Sequence, residues 1–185
     1  TMDRAEILLD ANPDSAYILL NEVKTPDRLN ERQFARWCML YCRAADKLFK
    51  DMLYTEQLDR ALAWCKNHGT AEQRAWMGLY LGRSYVKDKL FIPAMKAYSD
   101  ALSLAKEKYL YDVAGYICSY MADLYTYTGQ RSEERRKFEE AAEFFKQAGN
   151  ERSYAFALRD VAKTWAFDDS LSLALHYMLI ADSVI

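Results

Sequence analysis

The stretch GLYLGRSYVKDKLFIPAMKAYSDALSLA, residues 78–105, decides the fold. Its two halves carry apolar residues three or four positions apart, which is the spacing of one face of an α-helix. The polar segment KDK, residues 87–89, separates the halves. Gly82 in the first half lets a second helix approach closely, and Tyr98 in the second half is bulky enough to fill the neighbouring space. The stretch therefore predicts two helices that pack against each other.

Five columns of residues repeat this pattern at intervals of 40 residues. Two columns hold small residues, two hold large apolar residues, and one holds aromatic residues with a single exception. One helix pair cannot bury both of its faces, so repeated pairs must stack, and the columns indicate a helical repeat. The columns are Ala61, Ala101, Ala141 and Ala181; Cys42, Gly82, Ala122 and Ala162; Tyr41, Leu81, Met121 and Val161; Leu58, Tyr98, Phe138 and Met178; and Tyr85, Tyr125 and Trp165 with Ala45 as the exception.

Capping residues set the helix boundaries. Asn12-Pro13 offers an N-cap followed by proline at the first helical position, and Thr70 with Gln73 forms a capping box. Three glycines mark helix ends, since glycine readily adopts the left-handed conformation there; they are Gly69, Gly129 and Gly149. With only 6 glycines and 3 prolines, the chain is predicted to be all-α. The predicted helices are 2–11, 14–24, 31–48, 54–67, 71–88, 92–107, 111–128, 132–148, 151–167 and 170–185.

Composition argues against several classes of function. The net charge is −2, so the chain lacks the basic face that nucleic-acid binding requires. Four cysteines and two distant histidines have no metal-ligand spacing, and no phosphate-binding glycine loop or catalytic motif occurs. We therefore expect no enzyme activity, no catalytic residues, no metal and no cofactor. With no targeting segment or transmembrane run, we expect no direct membrane insertion, and the compartment, cytoplasmic or periplasmic, stays open.

Three copies of the repeat share a longer motif. The copies are Gly78-x-x-Leu81-Gly82-x-x-Tyr85 with Ala94-x-x-x-Tyr98-x-x-Ala101, Met121-Ala122-x-x-Tyr125 with Phe138-x-x-Ala141, and Val161-Ala162-x-x-Trp165 with Ala174-x-x-x-Met178-x-x-Ala181. They resemble the tetratricopeptide repeat (TPR) and, through it, bacterial TPR regulatory and interaction proteins. The resemblance implies a right-handed α-α superhelix, a solenoid of about five antiparallel helix pairs.

Two departures separate the chain from the usual TPR pattern. The period is 40 rather than about 34, and the tryptophan of the first helix is replaced in every copy. A period near 40 also suits HEAT or armadillo repeats, which stay the alternative fold. We expect one solenoid domain over residues 1–185. Its parts are a weak helix pair at 2–24, a degenerate copy at 31–67, and repeats near 71–107, 111–148 and 151–185.

In the TPR family, certain positions of each first helix face a groove that binds peptides. Here those positions combine aromatic rings with arginine and lysine, which suit an extended peptide. We expect Tyr80, Arg83 and Tyr120 to be substantially exposed and close together. A second interpretation stays open, in which Trp76 and Tyr116 pack between adjacent first helices. The predicted groove residues are Arg36, Met39, Arg43, Trp76, Tyr80, Arg83, Tyr116, Tyr120, Asp123, Phe156, Arg159 and Lys163.

The predicted function is that of a protein–protein interaction scaffold, which binds a peptide or a partner's surface in this groove. The alternative is a ligand-sensing or regulatory module of a longer chain that carries a membrane anchor, a DNA-binding domain or a signalling domain; an enzyme is remote. The last predicted helix is apolar through Leu171, Leu175, Met178 and Leu179 and reaches Ile185 without a stop signal. Either the natural chain continues there, or two copies pair through this helix as a homodimer.

Overall fold

The computed structural model describes residues 1–184, and within them it contains ten α-helices, one short 3₁₀ helix and no strand. The prediction of an all-α fold is confirmed. The 3₁₀ helix spans Pro26–Arg28. The α-helices are α1 (Met2–Leu8), α2 (Pro13–Asn21), α3 (Glu31–Lys47), α4 (Thr55–His68), α5 (Ala71–Lys87), α6 (Phe91–Glu107), α7 (Tyr111–Tyr127), α8 (Arg131–Ala148), α9 (Glu151–Phe167) and α10 (Leu171–Val184).

Eight helices begin and end within about a residue of their predicted bounds, but α1 and α2 each end three residues early. Asn12 has non-helical backbone angles because it caps α2, so α1 must end before it. Thr25 precedes Pro26, and a residue before proline avoids the helical conformation, so α2 cannot run on into the 3₁₀ helix. The predicted last helix also included Ile185, which lies outside the described residues.

The turn between the two helices of a pair is the same four times, at intervals of 40 residues. One residue adopts the left-handed conformation, and the next donates its backbone N–H to a carbonyl five residues earlier at 2.8–3.0 Å. This is the 6→1 hydrogen bond of a Schellman motif, which satisfies a carbonyl at the helix end. Only one of the four residues is glycine; the set is Phe49, Lys89, Gly129 and Asp169.

Gly69, at the end of α4, differs from these left-handed residues in its backbone conformation. Its backbone is extended, with φ −90° and ψ 161°, so the prediction of a left-handed residue at this helix end is wrong. Glycine is needed there for space, because a Cβ would lie 2.9 Å from the carbonyl oxygen of Cys65. Gly149 does have the predicted left-handed conformation, with φ 70°.

The chain divides into two compact units, one over Thr1–Ala97 and one from Tyr98 onwards, with the division inside α6. In the first unit α1 packs on α2 and α3, α3 on α4 and α5, and α4 on α5. In the second unit α7 packs on α8, α8 on α9, and α9 on α10. Each helix thus contacts mainly its neighbours in sequence, as in repeat proteins. The single-domain assignment stays a prediction.

The two columns of small residues are buried in every copy, whereas the aromatic residues Tyr85, Tyr125 and Trp165 are half-buried. Ala61, Ala141 and Ala181 are fully buried, as the packing argument predicts for small residues between close helices. Phe138 of α8 packs in a cluster with Ala122 of α7 and Val161 of α9. Its counterpart on α10, Met178, is instead 39% exposed. The large residue of this column is therefore buried in three copies, at Leu58, Tyr98 and Phe138, and exposed in the last one.

One pair of contacts recurs 80 residues apart and supports the repeat register independently. Thr55 on α4 lies 3.2 Å from both the hydroxyl of Ser84 and the carboxylate of Asp88 on α5. In the second unit Arg135 on α8 donates to the hydroxyl of Thr164 on α9 at 2.9 Å and also pairs with Asp168. In both units the second helix of a pair is therefore anchored by the same two positions of the following first helix.

Buried thiols make the folded state sensitive to alkaline pH. Burial raises the pKa of Cys42 and of Cys118 to about 12, from an ordinary value of 9.0. Above pH 9 the unfolded thiols lose protons that the folded thiols keep, so the stability they contribute is complete below pH 9 and is lost as the pH rises through 12.

Between pH 9 and 12 we expect the unfolding free energy of Cys42→Ala to fall less steeply with rising pH than that of the unaltered chain. The two slopes are expected to differ by up to about 1.4 kcal/mol per pH unit, which corresponds to one proton. Urea titrations at several pH values between 8 and 11 measure this slope. Ser172→Ala, an exposed change without a titrating group, is the control. An unchanged slope in Cys42→Ala would show that this thiol does not govern the alkaline loss.

Candidate functional site

The first helix of the second pair, α3, carries a stripe of basic residues along one face. Arg32, Arg36, Met39 and Arg43 follow one another at spacings of four, three and four residues, so they lie on the same side of the helix. Arg32 is exposed, and Met39 and Arg43 are half-buried. Neither Arg32 nor Arg43 makes a hydrogen bond or ion pair with any residue that the structure describes. We call these four residues the α3 stripe.

A cavity of about 400 Å³ opens at the N-terminal end of the α3 stripe. Arg32 and Arg36 line it together with Asn30 and Gln33. The Asn30 side chain accepts a hydrogen bond from the backbone N–H of Gln33 at 2.9 Å and so caps the helix. Two guanidinium groups and a helix N-terminus therefore border the same space, and all of them favour a negatively charged group.

Arg36 is held by acidic residues of α1. Its guanidinium lies 2.6 Å from Asp3 and 2.5 Å from Glu6, and these hydrogen bonds raise the pKa of Arg36. Just beyond the C-terminal end of α1, Asp10 lies 3.1 Å from Lys47 of α3. Acidic residues in and just after α1 thus face basic residues of α3. The predicted groove residue Arg36 is present on the stripe, but its charge is already matched within the chain.

The burial of Tyr80 contradicts its predicted place in the groove. The ring was expected to be exposed, yet it is only 1% exposed. Burial raises the pKa of its hydroxyl group well above the ordinary value, with a further contribution from Asp46 on α3. Arg83, one turn later on α5, forms an ion pair with the same Asp46. This face of α5 therefore packs on α3, and the small Cys42 leaves room for the ring, so Tyr80 cannot be a surface contact.

Trp76 and Tyr116 occupy equivalent positions, and both are half-buried. Trp76 stacks on the ring of Tyr80 with a centroid distance of 5.9 Å. The Tyr116 hydroxyl lies 3.0 Å from that of Ser153 on α9, and its ring meets Phe145 edge-on at 4.9 Å. For Tyr116 the structure thus favours the interpretation that the ring packs between adjacent first helices.

The remaining predicted residues lie on α7 and α9 and are largely accessible. Tyr120 is half-buried and Asp123 is exposed. Phe156 is 48% exposed and lies between two guanidinium groups. Arg159 pairs with Asp182 of α10 at 3.0 Å. Lys163 pairs with Asp160 of its own helix at 2.7 Å. The charges of α9 are therefore partly matched, while the ring of Phe156 faces solvent.

Sequence reasoning missed Arg32 because it does not occupy a groove position of the family pattern. The signal was nonetheless there, since Arg32 precedes Arg36 by one helical turn. Among residues 1–184 no group of three or more histidine, cysteine, aspartate or glutamate side chains has the arrangement of a metal site. Within the same residues no helix is both long enough and apolar enough to cross a bilayer.

Solved structures identify the fold. No protein-family model and no curated protein matches the sequence. The apo form of RapI aligns with a TM-score of 0.74 at 13% identity, over 99% of this chain and 68% of that chain. A Podosopora anserina putative kinesin light chain with nearly identical TPR-like repeats aligns with a TM-score of 0.65 at 14% identity, over 99% and 92%. The fold is a divergent TPR-like repeat.

A further solved structure aligns over a smaller share of its own length. A signal transduction ATPase from Pyrococcus horikoshii with a tetratricopeptide repeat sensor gives a TM-score of 0.70 at 15% identity, over 98% of this chain and 30% of that chain. The predicted resemblance to TPR proteins is confirmed at the level of fold. TPR-like folds generally mediate protein–protein interactions and generally act as non-enzymatic scaffolds.

Proposed function

We propose that this TPR-like chain binds a protein partner through the α3 stripe, and that the partner supplies an acidic segment. The observation that carries the proposal is the pair Arg32 and Arg43, two arginines on one helix face that form no hydrogen bond or ion pair with a carboxylate of the described chain, although the charge of Arg43 helps to lower the pKa of Asp10. Guanidinium groups bind carboxylates through strong paired hydrogen bonds. Met39 between them adds a polarizable apolar contact. The cavity of about 400 Å³ beside Arg32 offers space for a side chain of the partner.

The packing of α1 supports this choice of partner chemistry. Asp3 and Glu6 already lie against Arg36, so an acidic row from a neighbouring helix fits this side of α3 within the chain itself. A partner segment with carboxylates at similar spacing would extend the same pairing to Arg32 and Arg43. Because Arg32 is exposed and Arg43 is only half-buried, the attraction is screened by salt, and we expect binding to weaken as ionic strength rises.

A labelled dodecapeptide of Glu-Leu-Ser units serves as the probe, with a peptide that carries Lys in place of Glu as its matched control. Fluorescence anisotropy is expected to show binding of the acidic peptide only. Arg32→Gln combined with Arg43→Gln is expected to weaken that binding by about tenfold or more, which corresponds to about 1.4 kcal/mol. Glutamine keeps much of the side-chain stem, so packing is largely retained.

The matched variant Lys24→Gln with Lys66→Gln removes the same net charge from exposed positions outside the stripe. It is expected to bind the acidic peptide as the unaltered chain does. Equal weakening in both double variants would assign the effect to net charge rather than to the stripe. Tight binding of the lysine peptide would contradict the proposal altogether. The regulatory-module alternative stays a prediction.

A further inference from the structure

The contacts between Arg36 and α1 engage only part of the guanidinium group. Asp3 and Glu6 both lie against the same nitrogen, Nη2, at 2.6 and 2.5 Å. Arg60 on α4 shows a different arrangement, because its Nε and Nη2 both donate to the carboxylate of Glu31, at 3.1 and 2.7 Å. A carboxylate that binds two nitrogens of one guanidinium group makes the stronger pair. A partner's carboxylate that binds Arg36 in this way would therefore hold it more strongly than either residue of α1.

The carboxylates of α1 can leave Arg36 while the helix stays packed. Ala5 and Leu9, which anchor this segment in the core, are fully buried. The side chains of Asp3 and Glu6, by contrast, are 84% and 51% exposed, and that of Arg36 is 42% exposed. Ion pairs as accessible as these contribute little to stability, because water and salt screen them. An exchange of partners at Arg36 therefore requires only that side chains rotate.

Arg36 lies between the two arginines on which the proposed function depends. The helical rise of about 1.5 Å per residue places Arg36 about 6 Å from Arg32 and about 10 Å from Arg43 along α3. An acidic segment that reaches both outer arginines must therefore pass Arg36 and the two carboxylates beside it. Asp10, just beyond α1, is close enough to Arg43 for that charge to help lower the pKa of Asp10. Carboxylates of the N-terminal segment thus lie beside the α3 stripe at two points.

We propose that α1 competes with the acidic partner for the α3 stripe. In the free protein Asp3 and Glu6 hold Arg36, and a bound partner takes Arg36 from them. The partner thus contacts three arginines in the complex, but part of its binding energy is spent on breaking the pairs with α1. The inference rests on the proposed function of the stripe and describes how the affinity of that site is regulated. Any change that removes negative charge from this face of α1 therefore strengthens binding.

Asp3→Asn combined with Glu6→Gln, which we call the neutralised variant, removes both carboxylates and keeps the size of the side chains. The labelled acidic peptide is expected to bind this variant about three to five times more tightly than the unaltered chain, because no exposed ion pair has to be broken. Asp14→Asn with Glu22→Gln is the matched control, since it changes the net charge equally at exposed positions outside α1. It is expected to leave the affinity unchanged. Circular dichroism checks that both variants fold.

Arg36→Gln separates competition from simple repulsion between α1 and the peptide. In the unaltered chain, where Arg36 is already held, this substitution is expected to weaken peptide binding only slightly. In the neutralised variant, where Arg36 is released, the same substitution is expected to weaken binding by a factor at least about three times larger. The ratio of the two losses is the result of a double-mutant cycle. Repulsion alone predicts equal losses, because it does not depend on which residue holds the arginine.

The failure of this inference can be distinguished from the failure of the proposed function. Equal losses in the cycle, an unchanged affinity in the neutralised variant, or equal tightening in the control would overturn the competition by α1. The proposed function would still stand in these cases, provided that the unaltered chain binds the acidic peptide and Arg32→Gln with Arg43→Gln weakens that binding. If the peptide bound neither the unaltered chain nor the neutralised variant, the proposed function would be wrong, and the competition with it.

Discussion

Phe138→Ala is expected to lower the free energy of unfolding by about 3–5 kcal/mol, the usual cost of truncating a buried phenylalanine. The ring lies on α8 and contacts residues of α7 and α9, with Trp165 and Tyr177 packed around the cluster. Helices on both sides of α8 therefore lose contact with it at once. A cavity at this point cannot close easily, because its walls belong to three separate helices.

Urea denaturation followed by circular dichroism measures the loss. Phe167→Ala is the matched control, since this ring is largely exposed beside Arg131, and its removal is expected to change stability by less than about 0.5 kcal/mol. If the two alanine variants proved equally stable, Phe138 would not be a core residue, and the register that places it opposite Val161 would be wrong.

Tyr80→Ala is expected to cost a similar amount, about 3–5 kcal/mol, because its ring is only 1% exposed. From the sequence, this ring was predicted to lie exposed in a binding groove, where its removal would cost little stability. The structure instead predicts a large loss of stability. Thermal and urea unfolding distinguish the two outcomes directly. A stable Tyr80→Ala variant would mean that the ring is not packed between α3 and α5.

Tyr80→Phe is the companion variant. It keeps the ring and removes only the hydroxyl group, so we expect it to retain most of the stability that alanine loses. Any binding experiment on the first unit should therefore use Tyr80→Phe rather than Tyr80→Ala, since a loss of binding in the alanine variant would only report unfolding. A substitution of Arg83 could also lower stability, because Arg83 forms an ion pair with Asp46 of the neighbouring helix.

The fold could be predicted from sequence because its determinants are local or periodic. Small residues such as Ala61 and Ala141 must recur where helices cross closely, so the spacing of 40 is visible without coordinates. The cap at Thr70 and Gln73 is likewise a short-range signal, and both of its hydrogen bonds are present. The early ends of α1 and α2 were missed because apolar spacing continues past the residues that stop the backbone.

The candidate site could be predicted only in part. The helix face of Arg36, Met39 and Arg43 follows from their spacing, but whether such a face is open or covered depends on the neighbouring helix. Sequence spacing cannot show that α5 packs its Tyr80 face on α3. The ion pair of Arg36 with Asp3 joins residues 33 positions apart, and no local sequence pattern predicts it. Exposure and charge matching therefore required the structure.

The repeated left-handed turn has a consequence for how this sequence tolerates change. Phe49, Lys89 and Asp169 adopt a conformation that costs a residue with a Cβ about 1–2 kcal/mol, whereas Gly129 adopts it freely. Three glycine substitutions, each at a turn between the two helices of a pair, are thus available to strengthen the fold. Stabilising substitutions of this kind remain unused because selection removes only variants that fall below the stability needed for function. Substitutions that reshape a binding face at some cost in stability could be compensated one turn at a time.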